Sequence, residues 1–100
     1  MDVVVTDVPE HGRFEAWEGD RLVGFAEYIR SGSLVVYPHT EVEPAFEGRG
    51  VGGSLARAAL EDARARGLPV LATCPFIAVW MVRHPEYADL AYQNRSRVVD

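Results

Sequence analysis

The segment of residues 47–53, Glu-Gly-Arg-Gly-Val-Gly-Gly, constrains this chain most, because it places four glycines directly before a helical pattern. Glycine can adopt a positive φ and has no Cβ to obstruct a ligand. A helix that begins at such a turn presents amide groups without partners, together with the positive end of its dipole. The segment therefore predicts a phosphate-binding turn. A glycine-rich loop that merely turns the chain is the alternative.

The helix after this turn is predicted by an apolar stripe at helical spacing. Its members are Leu55, Ala56, Ala59, Leu60 and Ala63. Gly67 is placed to cap the C-terminus of the helix, and Pro69 prevents its continuation.

Several short strands are predicted upstream of the glycine turn. Residues 13–19, 21–30 and 34–42 are rich in apolar and β-branched side chains and are separated by short glycine-containing turns, which indicates an antiparallel meander. Residues 2–6 could add a leading strand. Pro38 lies within the third run and cannot donate a ladder hydrogen bond, so that strand should be at an edge or bulged.

The C-terminal part predicts a strand and two helices. Residues 70–73 form a short apolar run, and residues 76–83 have helical spacing after Pro75, which suits the first position of a helix. A short helix is expected over residues 85–92, and the polar tail of residues 93–100 is expected to fray.

These elements predict one domain over residues 1–100 with an α+β fold. In this fold an antiparallel β-meander is followed by a helix, a strand and one or two C-terminal helices around a central mixed sheet. A chain of 100 residues is long enough for one core but too short for two.

Two phosphate ligands are excluded by the context of the glycine turn. Gly48, Gly50 and Gly53 satisfy the dinucleotide fingerprint, but that motif needs a parallel βαβ unit and an acidic residue about 20 positions later. An antiparallel meander precedes the turn here, and residues 73–75, Thr-Cys-Pro, occupy the place of the acid. A P-loop needs a lysine, and all ten cations of this chain are arginine.

Composition excludes further classes of protein. A net charge of −5 argues against a nucleic-acid module, which needs a basic face. No apolar run is long enough to span a bilayer, and the N-terminus lacks the features of a signal peptide. The single cysteine excludes an intramolecular disulfide, so the sequence predicts a cytoplasmic protein. Three scattered histidines and one cysteine have no metal-ligand spacing, so no metal site is expected.

With these motifs in this order, the chain resembles the GNAT superfamily of N-acetyltransferases. The family's pyrophosphate signature, Gln/Arg-x-x-Gly-x-Gly/Ala, falls on residues 47–52, with Glu47 in place of the usual Gln or Arg. A closer resemblance is to a compact branch of small GNAT-like proteins. It rests on His-Thr-Glu-Val at residues 39–42, Cys-Pro-Phe at residues 74–76 and Arg-His-Pro-Glu-Tyr at residues 83–87.

The resemblance implies acetyl-coenzyme A as cosubstrate. By that resemblance, the backbone around Val42 pairs with the pantetheine arm and offers an N–H to the thioester carbonyl, and main-chain amides hold the pyrophosphate. The implied cofactor-binding residues are Val42, Arg49, Gly50, Val51, Gly52, Gly53 and Ser54. Arg57 could add positive charge, although a solvated arginine on the helix face is the simpler interpretation.

Three residues are candidates for catalysis. Acetyl transfer to an amine needs a base for the amine and an acid for the departing thiolate. His39 and Glu41 lie on the same side of a strand and could deprotonate the amine, unless they only make structural hydrogen bonds. Cys74, where the last strand ends, could protonate the thiolate or accept the acetyl group, or it could be a small buried hydrophobe.

The usual acid of this family is missing. Many GNAT enzymes carry a tyrosine on the helix after the fifth strand, and the corresponding positions here are Trp80 and Met81. The nearest phenol in sequence is Tyr87, beyond Pro85.

The chain is also shorter than a typical GNAT domain. The shortfall is expected between the first and second strands, where residues 18–20 replace a helical pair that usually walls the acceptor site. An open cleft would suit a polypeptide or another large acceptor, or completion by a partner subunit, in a monomer or a homodimer. Two functions follow, an N-acetyltransferase acting on a primary amine or a non-catalytic acyl-CoA sensor; a domain without a ligand is a third.

Overall fold

The structure is a computed structural model that describes residues 2–93, so the prediction for the tail of residues 93–100 lies almost wholly outside it. The strands are β1 (Val4–Val8), β2 (Arg13–Glu18), β3 (Arg21–Glu27), β4 (Ile29–Arg30), β5 (Val35–Tyr37), β6 (Thr40–Val42) and β7 (Val70–Ala72). The α-helices are α1 (Val51–Arg66) and α2 (Pro75–Arg83). Single-turn or short 3-10 helices occupy Pro9–His11, Pro44–Phe46 and Pro85–Leu90.

The strands form two sheets. One has the order β1-β2-β3-β6 and is antiparallel throughout. The other has the order β4-β5-β7, in which β4 and β5 are antiparallel and β5 and β7 are parallel. Parallel neighbours need a long crossover connection, and the chain between β5 and β7 provides one that contains α1. The predicted α+β fold is confirmed.

The leading strand exists and lies at Val4–Val8 rather than at residues 2–6. As a result, the connection between the first and second strands is the 3-10 turn Pro9–His11, and residues 19–20 join the second strand, which ends at Glu18, to the third. The predicted location of the shortened connection was therefore wrong by one strand. Both connections are short, and neither contains an α-helix.

Two runs predicted as single strands are each divided between the two sheets. The first divides at Tyr28, whose amide donates to the Gly12 carbonyl at 3.0 Å. The second divides at Pro38, where the missing N–H interrupts the ladder, so that β5 and β6 pair with different neighbours. As a result of this division, β6 has one edge that no strand pairs with in the described residues.

Helix α1 packs its predicted apolar stripe against the first sheet. All five members of the stripe are fully buried. The helix ends at Gly67, which has a φ of 67° and donates its amide to the carbonyls of Ala63 and Arg64. The prediction of this helix, its buried face and its cap is confirmed.

The C-terminal elements cover the free side of β7. Helix α2 begins with Pro75 at its first position, as predicted. The last predicted helix is a 3-10 helix and ends at Leu90. After it, the Tyr92 amide donates to the Val70 carbonyl at 2.7 Å. Among residues 2–93 there is no helix with the length and hydropathy needed to cross a membrane.

Candidate active site

The two sheets diverge beside Cys74 and leave a wedge-shaped opening between β6 and the start of α2. Strands β5 and β7 are paired as far as Tyr37 and Ala72, and the Cys74 amide then donates to the Tyr37 carbonyl at 2.9 Å. Beyond this point β6 pairs with β3 alone, while the chain after β7 enters α2. The wedge is therefore bounded by a strand edge on one side and by a helix start on the other.

The free edge of β6 presents the main-chain groups of Thr40 and Val42. The amide of Glu43 donates to the Val23 carbonyl at 2.8 Å, and the His39 carbonyl accepts from the Glu27 amide at 2.9 Å. Because main-chain groups alternate along an antiparallel strand, the odd-numbered residues of β6 bond to β3 and the even-numbered ones face the wedge. An extended ligand arm could pair with this edge as an added strand does.

The glycine turn ends in an α1 N-terminus with unbonded amides. Gly48 and Gly50 have φ values of 78° and 83°, which residues with a Cβ rarely adopt. The first intrahelical hydrogen bond runs from the Ser54 amide to the Gly50 carbonyl at 3.0 Å. The three amides of residues 51–53 are left without a helical partner and suit an anion. The Ser54 amide is used in this intrahelical hydrogen bond, so only the Ser54 hydroxyl remains available to bind a ligand.

The wedge and the glycine turn belong to one cavity of about 390 Å³, which is within the roughly 300–1,000 Å³ of ligand pockets. Its lining consists of Thr40, Val42, Phe46, Glu47, Gly48, Gly50, Val51, Gly52, Gly53 and Phe76. Five of the seven residues predicted to bind the cofactor are in this lining; Arg49 and Ser54 are not. The Arg49 guanidinium lies 5.3 Å from the centre of the Phe46 ring.

The two helical glycines let α2 approach the first turn of α1. A Cβ on Gly52 would lie 2.9 Å from Cζ of Phe76, closer than side chains pack, whereas one on Gly53 would lie 3.5 Å from Nε1 of Trp80. The four glycines therefore differ in the physical reason for which a side chain is absent. Gly48 and Gly50 permit the turn, Gly52 makes room for an aromatic ring, and Gly53 faces an ordinary contact.

Cys74 lies where the wedge closes. The residue is 4% exposed, and its thiol donates to the Thr40 hydroxyl with a separation of 3.7 Å. Thr40 and Phe76 also line the cavity. Both lie in motifs that carry the family resemblance, but neither was predicted to bind the cofactor. The available signals were the two-residue spacing of Thr40 from Val42, which places both on one strand edge, and the position of Phe76 in the first turn of α2.

His39, one residue before β6, and Glu41, within it, lie on the same side of the strand, as predicted, and contact each other. His39 Nε2 and Glu41 Oε1 are 2.9 Å apart, and both side chains are about half exposed. A Cβ on Gly24, the partner of Val42, would meet the side chains of α1, so Val42 faces that helix. His39 and Glu41 therefore point to the opposite face of the sheet from the cavity.

The positions of the family's usual acid hold groups that cannot serve as one. The Trp80 ring stacks on His84 with 3.5 Å between centroids, and Met81 is buried. Tyr87 is a buried residue whose hydroxyl donates to Glu61 at 2.6 Å and accepts from Arg57 at 3.1 Å. Its hydrogen bond to Glu61, followed by burial, raises the pKa of Tyr87.

Arg57 lies on the exposed face of α1, where its guanidinium makes two contacts. Besides its bond to the Tyr87 hydroxyl, its guanidinium lies 5.2 Å from the centre of the Trp80 ring. It follows Gly53 by one helical turn, so the two residues lie on the same side of α1. In the part of the chain that the structure describes, no three His, Cys, Asp or Glu side chains converge as metal ligands do.

The fold and the site together define a class of α+β proteins in which a divided sheet lies beside a helix that starts at a glycine turn. A family model described as GCN5-related N-acetyltransferase matches residues 13–90. The chain therefore belongs to this family of acyltransferases. No curated protein matches it in sequence.

Solved structures share the fold. The solution structure of a GCN5-like protein from Staphylococcus aureus has a TM-score of 0.65 and 21% identity, over 94% of this chain and 90% of that one. AAC(6')-Iy in complex with the bisubstrate analogue CoA-S-monomethyl-acetylneamine has a TM-score of 0.53 and 21% identity, over 88% of this chain and 65% of that one. A ribosomal-protein-alanine N-acetyltransferase from Brucella melitensis biovar Abortus 2308 has a TM-score of 0.52 and 20% identity, over 88% and 69%.

Proposed function

We propose that this protein binds acetyl-coenzyme A and transfers its acetyl group to a primary amine. The observation that carries the proposal is the single cavity that joins the free amides of residues 51–53 to the free edge of β6 and the Thr40–Cys74 contact. Family membership supports the reaction type, and a structural neighbour is solved with a coenzyme A analogue.

The residues of the cavity fit this cosubstrate in two parts. The unbonded amides at the start of α1 suit the pyrophosphate, and the positive end of the helix dipole favours its charge. The main-chain groups of Thr40 and Val42 suit the amides of the pantetheine arm. Since these contacts are main-chain, Glu47 need not contribute a side chain, and its departure from the family signature is tolerated.

His39 and Glu41 lie on the face of β6 opposite the cavity, so in this proposal the amine reaches the thioester around the free edge of β6. His39 or Glu41 accepts a proton from the ammonium group, and the amine nitrogen attacks the thioester carbonyl carbon. An amide N–H on the free edge of β6 stabilises the oxyanion. As the C–S bond breaks, the departing thiolate takes a proton from the Cys74 thiol or from water. The nitrogen gives its extra proton to the Cys74 thiolate or hydroxide so formed, which leaves the neutral N-acetylated amine and coenzyme A as the thiol.

Cys74 has a second possible role. Its sulfur could accept the acetyl group from the thioester and pass it to the amine, with coenzyme A leaving as the thiol. Mass spectrometry after incubation with acetyl-CoA alone separates the two roles, because only the second leaves an acetyl adduct on Cys74. Cys74→Ser retains a hydroxyl that can relay a proton, whereas Cys74→Ala has no side-chain group that can donate or relay a proton.

The first test is the melting temperature with acetyl-CoA. A ligand at 100 times its Kd stabilises the folded state by about 2.7 kcal/mol, which is roughly 10–20 °C for a domain of this size. ATP, which lacks the pantetheine arm, serves as the control ligand. No rise with acetyl-CoA would refute the proposal, and a rise followed by turnover with a panel of amines would support it.

The alternative is a non-catalytic acyl-CoA sensor on the same fold. The observation in its favour is that Trp80 and Met81 stand where the acid is usually found, while the phenol of Tyr87 is committed elsewhere. Coenzyme A binding that survives in His39→Ala and Cys74→Ala, without turnover of any amine, would favour the sensor.

Membership of the compact branch belongs to the same proposal. The Cys-Pro-Phe segment of residues 74–76 lies at the closed end of the wedge, and the Staphylococcus aureus neighbour is matched over nearly its whole length. The cytoplasmic location and the choice between monomer and homodimer stay predictions.

A further inference from the structure

Thr40 lies between Cys74 and the cofactor cavity. Thr40 lines this cavity and Cys74 does not. The cysteine is 4% exposed, and its thiol contacts the Thr40 hydroxyl at 3.7 Å. A molecule in the cavity therefore meets the threonine hydroxyl, and the thiol lies behind that hydroxyl.

The Thr40 hydroxyl is the only side-chain hydrogen-bond donor in the cavity lining, among the residues that the structure describes. Four of the other lining residues are glycines, and Val42, Phe46, Val51 and Phe76 are apolar. The remaining one is Glu47, an exposed residue of the glycine turn, and an ionised carboxylate only accepts hydrogen bonds. A proton that a lining side chain gives to a ligand must therefore come from Thr40.

The hydrogen bond from Cys74 leaves the Thr40 hydroxyl able to donate. A hydroxyl has one hydrogen and two lone pairs. One lone pair accepts from the Cys74 thiol, and the hydroxyl hydrogen has no acceptor within the described part of the chain. The thiol, the hydroxyl and a ligand in the cavity thus form a path along which one proton can move.

Main-chain pairing holds both ends of this contact. Thr40 is paired with Ala26 of β3, which is fully buried, and its β-branched side chain has few χ1 rotamers. On the other side, the Cys74 amide donates to the Tyr37 carbonyl at 2.9 Å. The two residues are therefore kept together by the two sheets that form the wedge.

We propose that Thr40 gives a proton to the departing thiolate of coenzyme A and that Cys74 supplies this proton through the Thr40 hydroxyl. As the C–S bond breaks, its electron pair goes to the sulfur of coenzyme A, which takes the hydroxyl proton. The Thr40 oxygen takes the thiol proton of Cys74, and the proton released by the acetylated nitrogen restores that thiol. The inference rests on the proposed function and assigns a further catalytic residue to it.

The same arrangement excludes the covalent role of Cys74. Its sulfur lies outside the cavity, so a thioester carbonyl would have to pass the Thr40 side chain to reach it. Incubation with acetyl-CoA alone should therefore leave no acetyl group on Cys74, and an adduct found by mass spectrometry would overturn the inference.

The main test is the pKa of the coenzyme A thiol in the complex, a measurement that needs no acceptor. The NMR signal of the methylene group next to the sulfur reports the ionisation of this thiol as the pH is raised. A hydroxyl that donates to the thiolate favours the charged form. The pKa of the bound thiol should therefore be lower than that of the thiol in free coenzyme A.

Variants locate the donor. Thr40→Val keeps the shape of the side chain without the hydroxyl, so the ratio of thiolate to thiol in bound coenzyme A should fall about tenfold at a fixed pH. Thr40→Ser should stay close to the wild type. Cys74→Ala should have a smaller effect than Thr40→Val, because the direct donor remains. Thr6→Val, which changes an exposed threonine on β1, is the matched control and should have no effect.

Three results of the titration would overturn the inference. They are a bound wild-type thiol with the pKa of free coenzyme A, an unchanged ratio in Thr40→Val, and a larger loss in Cys74→Ala than in Thr40→Val. Each presupposes that coenzyme A binds. Failure of coenzyme A to raise the melting temperature would instead overturn the proposed function, so the two failures are distinguishable.

Discussion

The contact between Gly52 and Phe76 predicts that Gly52→Ala impairs coenzyme A binding while leaving stability nearly unchanged. The added methyl group would lie 2.9 Å from Cζ of Phe76, so the ring must move. Phe76 is 44% exposed and can move toward solvent. Both residues line the cofactor cavity, so the displacement changes the shape of that cavity.

Two opposing terms determine the stability of this variant. Alanine is favoured over glycine within a helix by up to about 1 kcal/mol. Moving the half-buried ring into water costs about 1 kcal/mol, roughly half of the 1.5–3 kcal/mol for a fully buried phenylalanine. The two terms nearly cancel, so the melting temperature should change by less than about 5 °C. We expect coenzyme A affinity to fall about tenfold, or about 1.4 kcal/mol.

A double-mutant cycle measured by calorimetry tests this reasoning. Phe76→Ala removes the ring that the methyl group would contact, so adding Gly52→Ala to it should cost little further affinity. The expected coupling energy is about 1 kcal/mol. Gly53→Ala is the matched control, because its Cβ would lie 3.5 Å from Trp80, an ordinary contact.

Two results would refute the argument. Additive losses in Gly52→Ala and Phe76→Ala would mean that the ring does not transmit the effect. An equal loss in Gly53→Ala would mean that any side chain in the first turn of α1 blocks the ligand.

Three further predictions concern stability. Gly24→Ala places a Cβ 2.8 Å from the backbone oxygen of Glu41, which cannot move away. This variant should lower the free energy of unfolding, measured with denaturant, by about 2–3 kcal/mol. Gly32→Ala, whose Cβ would have no atom within 4 Å, is the control and should change it by less than about 0.5 kcal/mol. Tyr87→Phe removes the hydroxyl that donates to the exposed Glu61 carboxylate and should lower the free energy of unfolding by about 0.5–1.5 kcal/mol, and an unchanged denaturation midpoint would contradict this. The hydrogen bond to a neighbouring imidazole, then those to a guanidinium and an indole, lower the pKa of Glu15 against the opposing effect of burial. The stabilisation from the Glu15 carboxylate is thus present above about pH 4.3 and lost as the pH falls through the lower folded pKa. The melting temperature of Glu15→Gln should therefore fall less than that of the wild type when the pH is lowered through this range.

The sequence determined the local features of this protein. The buried stripe of α1, its Gly67 cap and the start of α2 at Pro75 follow from periodicity and from the backbone limits of glycine and proline, which act within a few residues. The antiparallel meander and the class of ligand for the glycine turn followed from the same local signals and from the resemblance they supported.

Only the tertiary structure decided which residues meet across the sheet. Pro38 signalled an interruption, but the pairing of β5 with β7 and of β6 with β3 depends on strands distant in sequence. For the same reason the Thr40–Cys74 contact and the Phe76 ring over Gly52 could not be read from spacing.

The glycine turn contains one feature that the sequence determined and one that only the tertiary structure decided. Its positive φ values are a property of the glycines themselves and could be predicted. The role of Gly52 is different, because it depends on a second helix that the chain reaches only after another strand. Local propensity acts along the chain, whereas close packing acts between elements that only the complete fold brings together.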